Sequence, residues 1–231
     1  MIREDGGVSG FGDELKRAAD TMREVRERCV WTQAMTHERL VPYLIEESAE
    51  LVDAVERGDR AEMREELGDL LWQVLFHAEL SSREDDPFDI DDVARGLTEK
   101  MIRRHPHVFG GETAETPERV LELWTAAKAS EKRERTSVLD GVASSMPSLA
   151  LAQKLLGKGA QVRVGAELLE DIAAAEAIEQ AEGVEALPSS EEELGDTLLG
   201  LVALARARGW DAERALRSRL RDLADEIRAA E

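Results

Sequence analysis

An all-α fold, built as two tandem helical units, is the architecture this sequence predicts, and three observations predict it. Ala, Leu, Glu and Arg dominate the chain, while Val-, Ile- and Thr-rich runs of strand type are scarce. Apolar residues recur at three- to four-residue spacing, the period of a helix with one buried face. The segment EELGDLLWQVLFHA at 65–78 returns as EELGDTLLGLVALA at 192–205, with the same apolar register, which reads as an internal duplication. The units are expected to span residues 13–136 and 137–231, joined by a Ser- and Pro-containing stretch near 136–148.

The elements follow in chain order. A helical pattern runs from Asp13 to Arg28, and the segment Cys29-Val30-Trp31-Thr32 leads into a long helix at about Thr36. Leu40, Leu44, Leu51 and Val55 form its predicted buried stripe, and Gly58 ends it. Asp59 stands where an N-cap belongs, with Glu62 as its capping-box partner, and Met63, Leu67, Leu70, Val74 and Leu75 make the next stripe. These two helices are expected to pack as an antiparallel hairpin. After the polar loop SSREDDPFD, a helix is predicted over about 90–104, closed by Pro106. Thr116 and Pro117 then supply the N-cap and first position of another, reaching about Arg133. Trp31, Trp72 and Trp210 are expected in the core.

Charge narrows the function classes. A formal net charge of -20 leaves no basic face for a phosphate backbone, so nucleic acid is not an expected partner. Any anionic ligand must be met by local cations or a metal. Cys29 is the only cysteine, which excludes an intrachain disulfide and fits a reducing compartment, read as the cytoplasm. The longest apolar run, LLGLVALA at 198–205, falls far short of the roughly 20 residues that cross a bilayer, so no membrane partner is expected.

The stretch 44–74 nevertheless places ten carboxylates among long apolar side chains. In an antiparallel helix pair, residues equidistant from the turn share a height. With Gly58 as pivot, Glu50 matches Glu66 and Glu47 matches Asp69, so each helix offers an i, i+3 carboxylate pair. At a rise of about 1.5 Å per residue the two layers lie about 4.5 Å apart. Four negative charges converging beside apolar side chains cost several kcal/mol unless something positive joins them. All-oxygen sites suit a hard cation, and Mg²⁺ commonly takes phosphate oxygens as further ligands. A solvated acidic helix face is the competing reading. Cations stand where a triphosphate would need them: Lys100 and Arg104 at i, i+4 on one helix, and Lys128 four residues after Trp124 on the next.

With these residues in view, EESAE at 46–50, ELGD at 66–69, EKMIRRHPHVF at 99–109 and LWTAAK at 123–128 resemble the MazG family of nucleoside triphosphate pyrophosphohydrolases, in the all-α NTP pyrophosphatase superfamily. The resemblance implies two tandem MazG-like four-helix units and a homodimer. It implies Glu47, Glu50, Glu66 and Asp69 as Mg²⁺ ligands, with Mn²⁺ as a candidate substitute. It implies Lys100, Arg104 and Lys128 on the triphosphate with Trp124 beside them, and Glu46 as an outer support or as the base for water. The implied reaction is hydrolysis of a nucleoside triphosphate to the monophosphate and pyrophosphate by attack of water on the α-phosphorus, in a house-cleaning role against non-canonical or oxidised nucleotides. One departure is visible: the family often has Cys-Pro-Trp-Asp where this chain has Cys29, Val30, Trp31 and Thr32.

The second unit reads as degraded. Glu193 and Asp196 keep the second carboxylate pair, but upstream Glu170 and Asp171 are followed by Ala174 in place of the last Glu. Arg217 and Arg221 keep a basic i, i+4 pair, with no Trp-Lys helix after them. The first unit is therefore expected to hydrolyse and the second to be structural. A zinc site at His105 and His107 is disfavoured, because Pro106 separates them and no ligand cluster accompanies them. His77 continues the Glu66, Asp69, Gln73 stripe and reads as a core histidine or a pocket residue, and the Arg-rich run at 206–221 as a solvated face. The alternative function is a non-catalytic acidic helical scaffold or a regulatory nucleotide-binding protein.

Overall fold

A computed structural model describes residues 11–131, 137–162 and 188–230, and among these every regular element is a helix. Two compact units emerge, Met1–Glu131 and Lys132–Glu231. The first contains α1 (Phe11–Arg28), α2 (Val30–Gln33), α3 (His37–Arg57), α4 (Arg60–Ser81), α5 (Ile90–Arg104), α6 (Pro106–Phe109) and α7 (Pro117–Ser130). Those described in the second are α8 (Ser148–Gly159), α9 (Glu191–Ala207) and α10 (Ala212–Ala230), with a 3₁₀ turn at Ala160–Val162.

The helix limits follow from local chemistry. Thr36 caps α3 by accepting from the Arg39 amide, and Gly58 ends it at φ 72°, a left-handed conformation that costs glycine nothing. Asp59 caps α4 through the Ala61 and Glu62 amides. Glu62, however, does not close the expected capping box: its carboxylate pairs with Arg57 across the turn, because a full ion pair outbids a neutral amide. The capping box occurs instead on α5, between Asp89 and Asp92.

The α3–α4 hairpin is antiparallel: His37, opening α3, meets His77 and Ser81 near the end of α4, while Arg57 meets Glu62 at the turn. Its core lies away from the turn, where Met22, Leu40, Leu75, Phe76 and Leu80 are buried and Trp72 and Ile90 pack against them. Each fully buried side chain of this size contributes about 1.5–3 kcal/mol. Toward the turn the predicted stripes are less covered. Leu51, Met63 and Leu70 are half-buried, whereas Val55 and Leu67 are exposed, because no described element packs over that side; Val74 is exposed as well, beside buried Leu75. Trp31 and Trp210 are also exposed rather than core, leaving Trp72 as the tryptophan of the three that packs inward.

In the second unit, Val202, Ala203 and Ala205 are buried, and Gly209 at φ 71° ends α9. Gln153 of α8 donates to the Trp210 carbonyl at 2.9 Å. The Arg206 guanidinium lies across Gly157, where an added Cβ would come within 2.9 Å of it.

Candidate active site

Because Glu47 and Asp69 are each eleven residues from Gly58, the hairpin sets them at one height, with Glu66 one turn nearer the bend. Ligand atoms of Glu47, Glu66 and Asp69 all lie within 4.8 Å of one another. Glu50 stands beside this group, lining an open cleft with Asp53, Arg57, Glu62 and Glu66. Desolvation, then repulsion from Asp69, Glu50, Glu66 and Glu46, holds the Glu47 carboxyl above the usual range. Glu66 is raised likewise, by desolvation and then by Glu50 and Asp69. Glu46 is exposed, within electrostatic reach of Glu47. Hard oxygen donors alone, under mutual repulsion, suit a divalent cation such as Mg²⁺.

The cations gather on α5 and α7. Arg104 lies 5.2 Å from the Trp124 ring centroid, and His105 meets the same ring edge-on at 5.0 Å. Through its Nε and Nη2, Arg104 donates to one oxygen of Glu131 at 3.0 and 2.6 Å, while Arg103 donates to the other at 3.3 Å. The Arg104 hydrogen bonds, with Arg103 behind them, hold the Glu131 carboxyl below the usual range. Lys100 and Lys128 are half-buried and have no ion-pair partner among the described residues. Arg104 and Trp124 are thus brought together, and the acidic group is assembled separately from them on α3 and α4. Glu131 was not anticipated, although it extends the Trp124, Lys128 stripe by three residues.

Thr32, where the family often has Asp, is buried, and its hydroxyl lies 3.0 and 2.9 Å from the Val25 and Cys29 carbonyls, tying α2 to the end of α1. His77 is not a fully satisfied core histidine. Its Nδ1 shares a 2.6 Å hydrogen bond with His37 Nδ1, and its Nε2 is buried without a partner. In the second unit the Glu193 carboxylate accepts from the Ser189 amide and hydroxyl at 2.6 and 2.8 Å, so it serves as a helix cap. Asp196 is exposed, and Arg217 pairs with Glu213 at 3.5 Å. Glu170, Asp171 and Ala174 lie outside the described residues.

A family model for the MazG nucleotide pyrophosphohydrolase domain matches residues 35–109, the span that carries the carboxylates and begins the basic group. An uncharacterized 26.1 kDa protein of Streptomyces cacaoi is 43% identical over 222 residues, covering 95% of this chain and 84% of its own. The nucleoside triphosphate pyrophosphohydrolase/pyrophosphatase MazG of Thermotoga maritima is 37% identical over 226 residues, covering 95% and 85%. The nucleoside triphosphate pyrophosphohydrolase of Escherichia coli is 36% identical over 214 residues, covering 88% and 81%. With the family model seated on the carboxylate hairpin and such relatives aligned along most of both chains, this chain belongs to the MazG family of nucleoside triphosphate pyrophosphohydrolases.

Proposed function

We propose that the protein is a Mg²⁺-dependent nucleoside triphosphate pyrophosphohydrolase, converting a (d)NTP and water to the (d)NMP and diphosphate, with non-canonical or oxidised nucleotides as its substrates in the cell. The observation that carries this reading is the convergence of Glu47, Glu66 and Asp69 within 4.8 Å. Glu47, Glu50, Glu66 and Asp69 hold Mg²⁺, or Mn²⁺ in its place. The cation supplies positive charge against the triphosphate oxygens and against the charge that develops at the α-phosphorus.

The chain's own groups do the rest. Lys100, Arg104 and Lys128 bind the phosphate oxygens left uncovered, and Trp124 holds the Arg104 plane by the cation–π contact described above. Arg104 exchanges Glu131 for phosphate when substrate arrives. Glu46 orients the attacking water or takes its proton. Residues 13–136 form the catalytic unit and 137–231 a degenerate MazG-like unit, a division that the capping role of Glu193 supports. A cytoplasmic homodimer without nucleic-acid partners completes the proposal. The exposed stripe Val41, Ile45, Val52 and Val55 on α3 supports a dimer interface.

The test is product analysis on purified protein with a panel of ordinary and oxidised (d)NTPs, with and without Mg²⁺. Mg²⁺-dependent monophosphate and pyrophosphate, abolished by Glu50→Ala and retained by Asp196→Ala, is the expected outcome. Absence of turnover, together with no effect of Mg²⁺ on thermal stability, would support the acidic scaffold instead.

A further inference from the structure

One layer beyond the carboxylates, the hairpin changes chemistry. Tyr43 and Gln73 are each fifteen residues from Gly58, so they share a height, one turn past Glu47 and Asp69 on their helices. That turn is about 5–6 Å of axial rise, a distance of the order that a ribose puts between an α-phosphate and its base. Tyr43 meets Trp31 of α2 edge-on, with ring centroids 5.7 Å apart, and Trp31 in turn leans on buried Phe76 at 6.5 Å. Despite these contacts Trp31 is 47% exposed and Tyr43 36%. An indole held by a T-shaped neighbour and a core phenyl, yet open to solvent, is a rigid stacking surface rather than a packing element.

Gln73 supplies a second, independent signal. It is 5% exposed, and its side-chain oxygen is buried with no hydrogen-bond partner. Buried polar atoms are nearly always paired, and leaving one unpaired is costly. A primary amide carries an acceptor and two donors, a set that matches the N–H and carbonyl or ring-nitrogen edge of a nucleobase.

We infer that Trp31, Tyr43 and Gln73 form the nucleobase subsite: the base stacks on the Trp31–Tyr43 pair, and an N–H of its hydrogen-bonding edge satisfies the Gln73 oxygen. The inference rests on the pyrophosphohydrolase reading only in that the carboxylate layer takes the phosphates. It places substrate discrimination in residues outside the metal and triphosphate groups.

The experiment is titration of indole fluorescence with nucleoside monophosphates without added metal, alongside steady-state kinetics on ATP, GTP, CTP and UTP. Monophosphates quench the parent. Trp31→Ala loses most of that quench and raises KM about tenfold or more with kcat little changed, as expected for a lost base stack. Trp31→Phe, which keeps an aromatic face and guards against a folding defect, recovers part of the KM. Gln73→Leu, close in volume, weakens monophosphate affinity about five- to tenfold and alters the ranking of the four bases. Unchanged KM, quench and base ranking in Trp31→Phe and Gln73→Leu would overturn the subsite, even in an enzyme that hydrolyses every triphosphate. Loss of the quench in Trp31→Ala and weakened affinity in Gln73→Leu, in a protein that releases no pyrophosphate, would uphold the subsite and sink the reaction.

Discussion

At the residue scale, Glu47 makes the conflict between stability and function explicit. Its carboxyl is pushed up by desolvation and by neighbouring carboxylates, so ionising it near neutral pH opposes folding unless a cation joins. Glu47→Gln is therefore expected to raise the melting temperature of the metal-free protein, to abolish the added stability that Mg²⁺ confers, and to lower kcat/KM by at least ~100-fold. A fall in metal-free stability would mean that repulsion is not what the cluster costs. Thr32 is the opposite kind of residue, a buried hydroxyl spent on the backbone of α1 and α2. Thr32→Val should destabilise the protein by about 0.5–1.5 kcal/mol in urea unfolding, since the hydroxyl's one proton bridges the Val25 and Cys29 carbonyls, each of which keeps its backbone N–H donor. That two such different roles sit in adjacent motifs was only half legible: mirrored Glu-x-x-Asp spacing reveals the carboxylates, whereas nothing in a Cys-Val-Trp-Thr string says that the Thr side chain turns inward.

At the element scale, the end of the α3–α4 hairpin opposite the turn is closed by stacked imidazoles, His37 and His77, 12° from parallel with centroids 4.9 Å apart. Their 2.6 Å Nδ1–Nδ1 hydrogen bond requires one unprotonated ring nitrogen. Desolvation first, then the His37 charge, lowers the His77 pKa below its ordinary 6.5. Between those two values the unfolded chain binds the extra proton and the folded one does not. The stability this group contributes is therefore complete above about pH 6.5 and is lost as pH falls through the lowered folded value. Glu84 faces the same pair, 3.5 Å from His37 Nε2. Urea midpoints at pH 8 and pH 5.5 should differ more for the parent than for His77→Gln, and equal differences would refute the role. Periodicity placed His77 on an inward stripe but could not pair it with a residue forty positions earlier, since that contact exists only once the hairpin closes.

At the scale of the whole molecule, the first unit leaves much of its apolar surface uncovered, with Ile45 63% and Val55 54% exposed on one face of α3. If that face is a homodimer interface, Ile45→Lys should shift the protein from dimer to monomer in sedimentation velocity, with a smaller effect on the unfolding midpoint extrapolated to low concentration. A monomeric parent would dismiss the interface. Composition and periodicity determined by themselves that the chain is helical, that Gly58, Asp59 and Thr116 bound their helices, and that four carboxylates share a hairpin, because these depend on spacing along one or two neighbouring helices. Only the tertiary structure decided that Glu62 leaves its cap for Arg57, that Glu131 occupies Arg104, that Glu193 is a cap, and that Trp31 faces solvent. Each of these is a choice among competing partners or faces, and such a choice is made by distances that exist only after distant segments have packed.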